Sequence, residues 1–211
     1  MSYKYIILCG GKYPKWKTPR QLLEIKGEQI VARTIRLLRS NGVDDIAITA
    51  NGDDFNHLGV EIIRHNNPFI GYTAGQYWVD AFPLVGQPAC YLLGDVYFSE
   101  QAIKTIVETQ TDDIEFFASA PPFAENYTRQ WAEPFAFKVF NYERFESCIH
   151  TVKRLQDEGK FRRIPIAWEL WQVIKDTPIN RIDYGNYTAI NDYTCDIDCE
   201  EDIGKLNKVL G

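Results

Sequence analysis

The chain has 211 residues, 45% of them apolar and 25% charged, enough to bury one substantial core in a single domain. Its formal net charge of −6 excludes the broad basic surface needed to track a nucleic-acid backbone. It has no run of 18 apolar residues and no signal-peptide profile at its start, so neither a membrane span nor export is expected. Its five cysteines, Cys9, Cys90, Cys148, Cys195 and Cys199, show no metal-finger spacing. An odd count of that kind predicts reduced thiols in a cytoplasmic protein.

The first half alternates strand and helix patterns. Tyr5 to Leu8 is an apolar run suited to a buried parallel strand. Apolar residues at 30, 31, 35, 37 and 38 predict a helix, and Asn41-Gly42 is a natural stop. Ile46 to Ala50 and Val60 to Ile63 read as strands, Thr73 to Phe82 as a helix, and Ala89 to Leu93 as a fully apolar strand. Ser99 is a good N-cap for a helix whose inner face is Ala102, Ile103, Ile106 and Val107, and Ile114 to Ala120 returns to strand. This βαβα rhythm predicts an α/β fold with a mostly parallel, mixed sheet covered by helices on both faces.

After Pro121-Pro122 the rhythm breaks. Phe135 to Phe140 reads as a strand, Tyr142 to Lys160 as a long amphipathic helix, and Ile166 to Ile174 as a helix carrying Trp168 and Trp171. Tyr187 to Ile197 reads as a late strand pair and Glu200 to Leu210 as a closing helix. One domain over 1–211 is expected, with a first half at 1–120, an insertion on the sheet's edge at 121–190, and a closing strand and helix at 191–211.

Three segments carry chemistry. Ile6-Ile7-Leu8-Cys9-Gly10-Gly11 ends a strand in two glycines, whose missing Cβ atoms let a ligand approach the backbone amides. Lys12, Lys15, Lys17 and Arg20 follow, a local positive field suited to a polyphosphate. Leu92-Leu93-Gly94-Asp95-Val96 places an acid just past an apolar strand, at the sheet end where ligands bind in open α/β folds. Asp196-Ile197-Asp198 precedes Glu200-Glu201-Asp202, acids that also suit the first turn of a helix. His57 and His65 read as surface or loop residues.

The run from Leu8 to Gly11, taken with Thr18-Pro19-Arg20-Gln21-Leu22-Leu23-Glu24-Ile25-Lys26-Gly27, resembles the opening signature of the sugar-phosphate nucleotidyltransferases. These are also called MobA-like or GT-A-like nucleotidyltransferases, and phosphocholine cytidylyltransferases are among them. Gly94-Asp95-Val96 and Asp196 to Ile203 resemble the family's metal-binding and closing segments. Two departures stand out: Arg20 replaces the family's lysine, and no arginine lies between Gly11 and Pro19.

The resemblance implies a Rossmann-like GT-A fold and Mg²⁺-dependent transfer from a nucleoside triphosphate to a small phosphorylated metabolite. The acceptor would be a sugar 1-phosphate ahead of phosphocholine, and the donor is left open with CTP preferred. It implies Lys12, Lys15 and Arg20 as catalytic cations, and Asp95 with Asp198, ahead of Asp196, as metal ligands. Leu8, Cys9, Gly10, Gly11, Asn51, Thr73, Gly75 and Gln76 would meet the nucleotide. Trp131, Glu133, Trp168 and Glu169 would line the acceptor side, where Lys138 or Arg162-Arg163 would hold its phosphate or be solvated. Alternatives are a molybdopterin nucleotidylyltransferase, a GT-A glycosyltransferase, or a degenerate binding domain. A homo-oligomer is left open.

Overall fold

The computed structural model describes residues 2–10, 17–64, 75–121 and 131–211. β1 (Lys4–Leu8) leads to a 3₁₀ turn at Arg20–Leu22, then to a small hairpin of β2 (Glu24–Ile25) and β3 (Glu28–Gln29). The hairpin turns through Lys26 and Gly27, both at positive φ, where the glycine lowers the steric cost of the turn. Then come α1 (Ile30–Ser40), β4 (Ile46–Ala50), β5 (Glu61–Arg64), β6 (Ala89–Leu93), β7 (Val96–Tyr97), α2 (Glu100–Glu108) and β8 (Ile114–Ser119). The second half holds β9 (Glu133–Val139), α3 (Tyr142–Asp157), α4 (Ala167–Ile174), β10 (Thr188–Ala189), β11 (Cys195–Asp196) and α5 (Glu200–Val209).

A seven-stranded sheet runs in the order β10-β8-β9-β6-β1-β4-β5. β1 pairs parallel with β4 and β6, β4 with β5, and β8 with β10. β9 runs antiparallel between β6 and β8. The second half therefore does not sit on the sheet's edge: it places a strand inside the sheet. Strand direction is invisible in a buried apolar run, because both faces are covered whichever way the chain points.

Alternation along the strands feeds two cores. Tyr5, Ile7 and Cys9 face one layer with α1 and α2 residues; Ile6 and Leu8 face the other with α3 and α4 residues. Helices thus cover both faces, as expected. Ser99 caps α2 by accepting from the Ala102 amide at 2.9 Å. The helix expected over Thr73–Phe82 is replaced, over its described part, by a 3₁₀ turn at Trp78–Ala81. Val79 and Phe82, three apart, are both buried, and that spacing serves a 3₁₀ turn as well as an α-helix.

Lys138 is neither a phosphate-holding nor a solvated group. It is buried in β9 and donates to the carbonyls of Ile106, Val107 and Thr109 at 3.0, 2.9 and 2.7 Å, satisfying the end of α2.

Candidate active site

The site begins where β1 and β6 end side by side. The Gly94 amide donates to the Leu8 carbonyl at 3.1 Å, continuing their parallel register past the last ladder pair, Leu8 with Leu93. A Cβ on Gly94 would lie 2.5 Å from the Leu8 carbonyl oxygen and 2.6 Å from the Cys9 sulfur. The glycine therefore lets the two chains close, and Asp95 emerges at their shared rim.

The second acid-bearing segment reaches the same rim by pairing. β11 runs antiparallel to β7, with Asp196 opposite Val96, and the Ile197 amide donates to the Asp95 carbonyl at 3.0 Å. Its approach is fixed at Asp192, which accepts from the Ser99 hydroxyl and, at 2.7 Å, from the Thr194 amide. Buried Glu133, at the start of β9, accepts the Asp196 amide at 3.1 Å. Asp202 accepts the amides of Asp198 and Cys199 at 3.0 and 2.9 Å, so this acid of the first helical turn also sets the Asp198 backbone.

Arg20 joins the two segments. Its Nη2 donates to Asp95 Oδ2; its Nη1 donates to Asp198 Oδ1 and, at 2.8 Å, to the Ile197 carbonyl. The Arg20 side chain is 1% exposed, that of Asp95 22%, and that of Asp198 59%. Asp95 and Asp198, distant in sequence, thus converge on one guanidinium. Asp196 lies in the same field. Burial first, then the charges of Asp198 and Asp95, push its carboxyl well above the usual range. Burial raises Asp95 too, against the opposing pull of Arg20.

The nucleotide-side expectations divide. Cys9 is buried, and its amide donates to Thr49 Oγ1 at 3.0 Å, so an amide cradle starts no earlier than Gly10. The Cys9 thiol is held well above its ordinary pKa by burial and is no nucleophile. Asn51 donates its side-chain amide to the Gly10 carbonyl at 2.8 Å, which fixes Gly10 from the end of β4. Gly75 is exposed at φ +77°, and the Gln76 carbonyl accepts from Gln156 of α3 at 3.0 Å. Gly11, Lys12, Lys15, His65 and Thr73 lie outside the described residues.

Among the residues expected on the acceptor side, Trp131 is 78% exposed. Trp168 is buried in the core, edge-on to Phe116, Tyr184 and Tyr187 at 4.9–5.5 Å between centroids. Glu169 is also buried, pairing with Arg163 at 2.6 Å and accepting the Ile166 amide at 3.0 Å. Glu133 faces the β11 backbone as described. Of the four, the structure gives Trp168, Glu169 and Glu133 packing or positioning contacts and leaves Trp131 open to solvent.

Thr49, Gly94 and Glu133 escaped notice as positioning residues. A visible signal existed for Thr49, the one polar residue in the strand run Ile46-Ala47-Ile48-Thr49-Ala50.

A mixed, mostly parallel sheet with an acid and a cation at its carboxyl rim defines a Rossmann-like architecture. The model of the MobA-like NTP transferase domain matches residues 5–164, and the chain belongs to that family. Similar solved structures include the CTP:phosphocholine cytidylyltransferase LicC of Streptococcus pneumoniae, at 17% identity and TM-score 0.59 with all of both chains covered. HddC of Yersinia pseudotuberculosis, solved with GMP-PN, has 14% identity and TM-score 0.57, again over both whole chains. The 4-diphosphocytidyl-2C-methyl-D-erythritol synthase of Anaerococcus prevotii has 15% identity and TM-score 0.55, covering 98% of this chain and 96% of its own. At these identities the likeness shows the fold. No curated protein sequence matches. Among the described residues, no helix is long and apolar enough to cross a membrane.

Proposed function

We propose that the protein transfers a nucleotidyl group from a nucleoside triphosphate to a small phosphomonoester, releasing pyrophosphate, with Mg²⁺ as cofactor. The observation that carries this reading is the convergence of Asp95 and Asp198 on Arg20 at the carboxyl end of β1 and β6. A module that only binds nucleotide has little use for two carboxylates brought together from segments 103 positions apart (198 minus 95).

The donor set suits Mg²⁺. Asp95 and Asp198 offer hard anionic oxygens, and the carboxyl of Asp196, raised by burial and by these same two acids, lies in their field. Among the described residues, no group of three or more side-chain ligands surrounds one point. That fits an ion which keeps waters and takes further ligands from substrate phosphates. When bound, Mg²⁺ supplies charge neutralisation on the triphosphate.

The chain's own residues do the rest. The strand end at Cys9 and Gly10, fixed by Thr49 and Asn51, receives the triphosphate, and the cations of the run 12–20 neutralise it. An oxygen of the acceptor phosphate attacks the α-phosphorus, a new P–O bond forms, and the bond to the β-phosphate oxygen breaks in line. The attacking group needs no general base, because a phosphate monoester's second pKa is about 6. Catalysis then rests on positioning and charge, and one such clamp contributes about 3 kcal/mol or more in a water-poor site. The acceptor is a sugar 1-phosphate or phosphocholine. The latter is the substrate named for LicC, which matches this chain over its full length.

The test incubates the protein with Mg²⁺, each of CTP, UTP, GTP, ATP and dTTP, and a panel of phosphomonoesters, and follows pyrophosphate. Release that requires one triphosphate and one acceptor is the expected result. Nucleotide binding without release from any pair overturns the reading in favour of a binding domain.

A further inference from the structure

We propose that Arg20 is a built-in counter-ion for the acid pair, and that it must turn away before a divalent cation takes both carboxylates. The inference rests on the nucleotidyl-transfer reading only for where such a cation would bind.

Three observations carry it. The guanidinium lies between the acids, with Nη2 on Asp95 and Nη1 on Asp198. It is held there by the Ile197 carbonyl at 2.8 Å, an acceptor on the same segment as Asp198. Its side chain is 1% exposed, so the charge is buried and not solvated. A planar fork with nitrogens on both sides can straddle two carboxylates; a lysine, with one ammonium, grips as a point charge. The straddling contact therefore depends on an arginine at position 20.

The consequence is an exchange. A cation between Asp95 and Asp198 needs oxygens that now face guanidinium N–H groups, and two positive charges there repel each other. The Arg20 charge is released when an anionic triphosphate offers it another partner. Metal and nucleotide then bind as mutually dependent ligands, and metal alone binds weakly.

The experiment titrates Mn²⁺ alone, with no nucleotide, into wild-type protein, Arg20→Gln and Arg20→Lys, reading free Mn²⁺ by electron paramagnetic resonance. Both variants are expected to bind Mn²⁺ about tenfold more tightly than wild type, and adding Asp95→Asn to Arg20→Gln should abolish the gain. Near-UV circular dichroism reports folding, and Arg20→Lys decides if Arg20→Gln does not fold. Equal or weaker Mn²⁺ binding by a folded variant overturns the proposal. So does loss of the fold in both, which would make Arg20 a structural strut.

Pyrophosphate release separates the two readings. Tighter Mn²⁺ binding with no release from any wild-type substrate pair keeps the counter-ion and removes the transferase. Release with unchanged Mn²⁺ affinity does the reverse.

Discussion

The Gly94 amide donates to the Leu8 carbonyl at 3.1 Å, and the space around that bond admits no side chain. Gly94 is not at positive φ, so the demand is for room and not for an unusual backbone. Gly94→Ala is expected to lower stability by about 2–3 kcal/mol through overpacking. For a chain of this size that is a fall of about 4–12 °C in Tm, read by calorimetry. Asp95 follows Gly94 directly, so activity should fall in the same variant even well below its Tm.

Asp95→Asn and Asp198→Asn should each cut pyrophosphate release by about 100-fold or more, since either change breaks the acid pair. Their stabilities should differ. Asp95 is mostly buried against Arg20, and losing its charged bond is expected to lower stability by about 1–3 kcal/mol. Asp198 is largely exposed, and its variant should stay within about 1 kcal/mol of wild type in urea unfolding. Equal stability losses would contradict the burial contrast.

Asp196 supplies a pH dependence. Burial and two neighbouring acids raise its carboxyl, so the native state holds that proton more tightly than the unfolded chain does. An acid raised in this way makes the native state lose stability as pH climbs from about 4 through the raised value. Asp196→Asn should therefore be more stable than wild type at pH 7.5, with the gap closing at about pH 4. Urea midpoints at the two pH values measure this, and a gap that widens on acidification would refute it.

Lys138→Met separates stability from chemistry. It leaves the carbonyls of Ile106, Val107 and Thr109 without their buried donor, an expected loss of about 2–4 kcal/mol. Pyrophosphate release measured below the lowered Tm should match wild type, because Lys138 ends on α2 and not at the rim of Asp95.

The strands Tyr5 to Leu8, Ile46 to Ala50 and Ala89 to Leu93, and the helix after Ser99, were legible because burial leaves a period or an apolar run in the residues themselves. The acids at 95 and 198 were legible as residue types after recognisable strand ends. Their common partner was not. A sequence displays Arg20 as a cation in a basic loop, whereas its bonds to Asp95, Asp198 and Ile197 depend on β11 pairing with β7. Lys138 shows the same gap in reverse. A charge in a strand reads as solvated or ligand-facing until the neighbouring helix end that absorbs it is known.

The antiparallel β9 has a practical consequence for redesign. Because that strand is woven between β6 and β8, the first and second halves of the chain share one continuous hydrogen-bonded scaffold. A chimera that transplants the second half from a relative would have to re-form both ladders at once. Loop grafting at the rim leaves that weave intact and is the gentler way to alter the chemistry presented there.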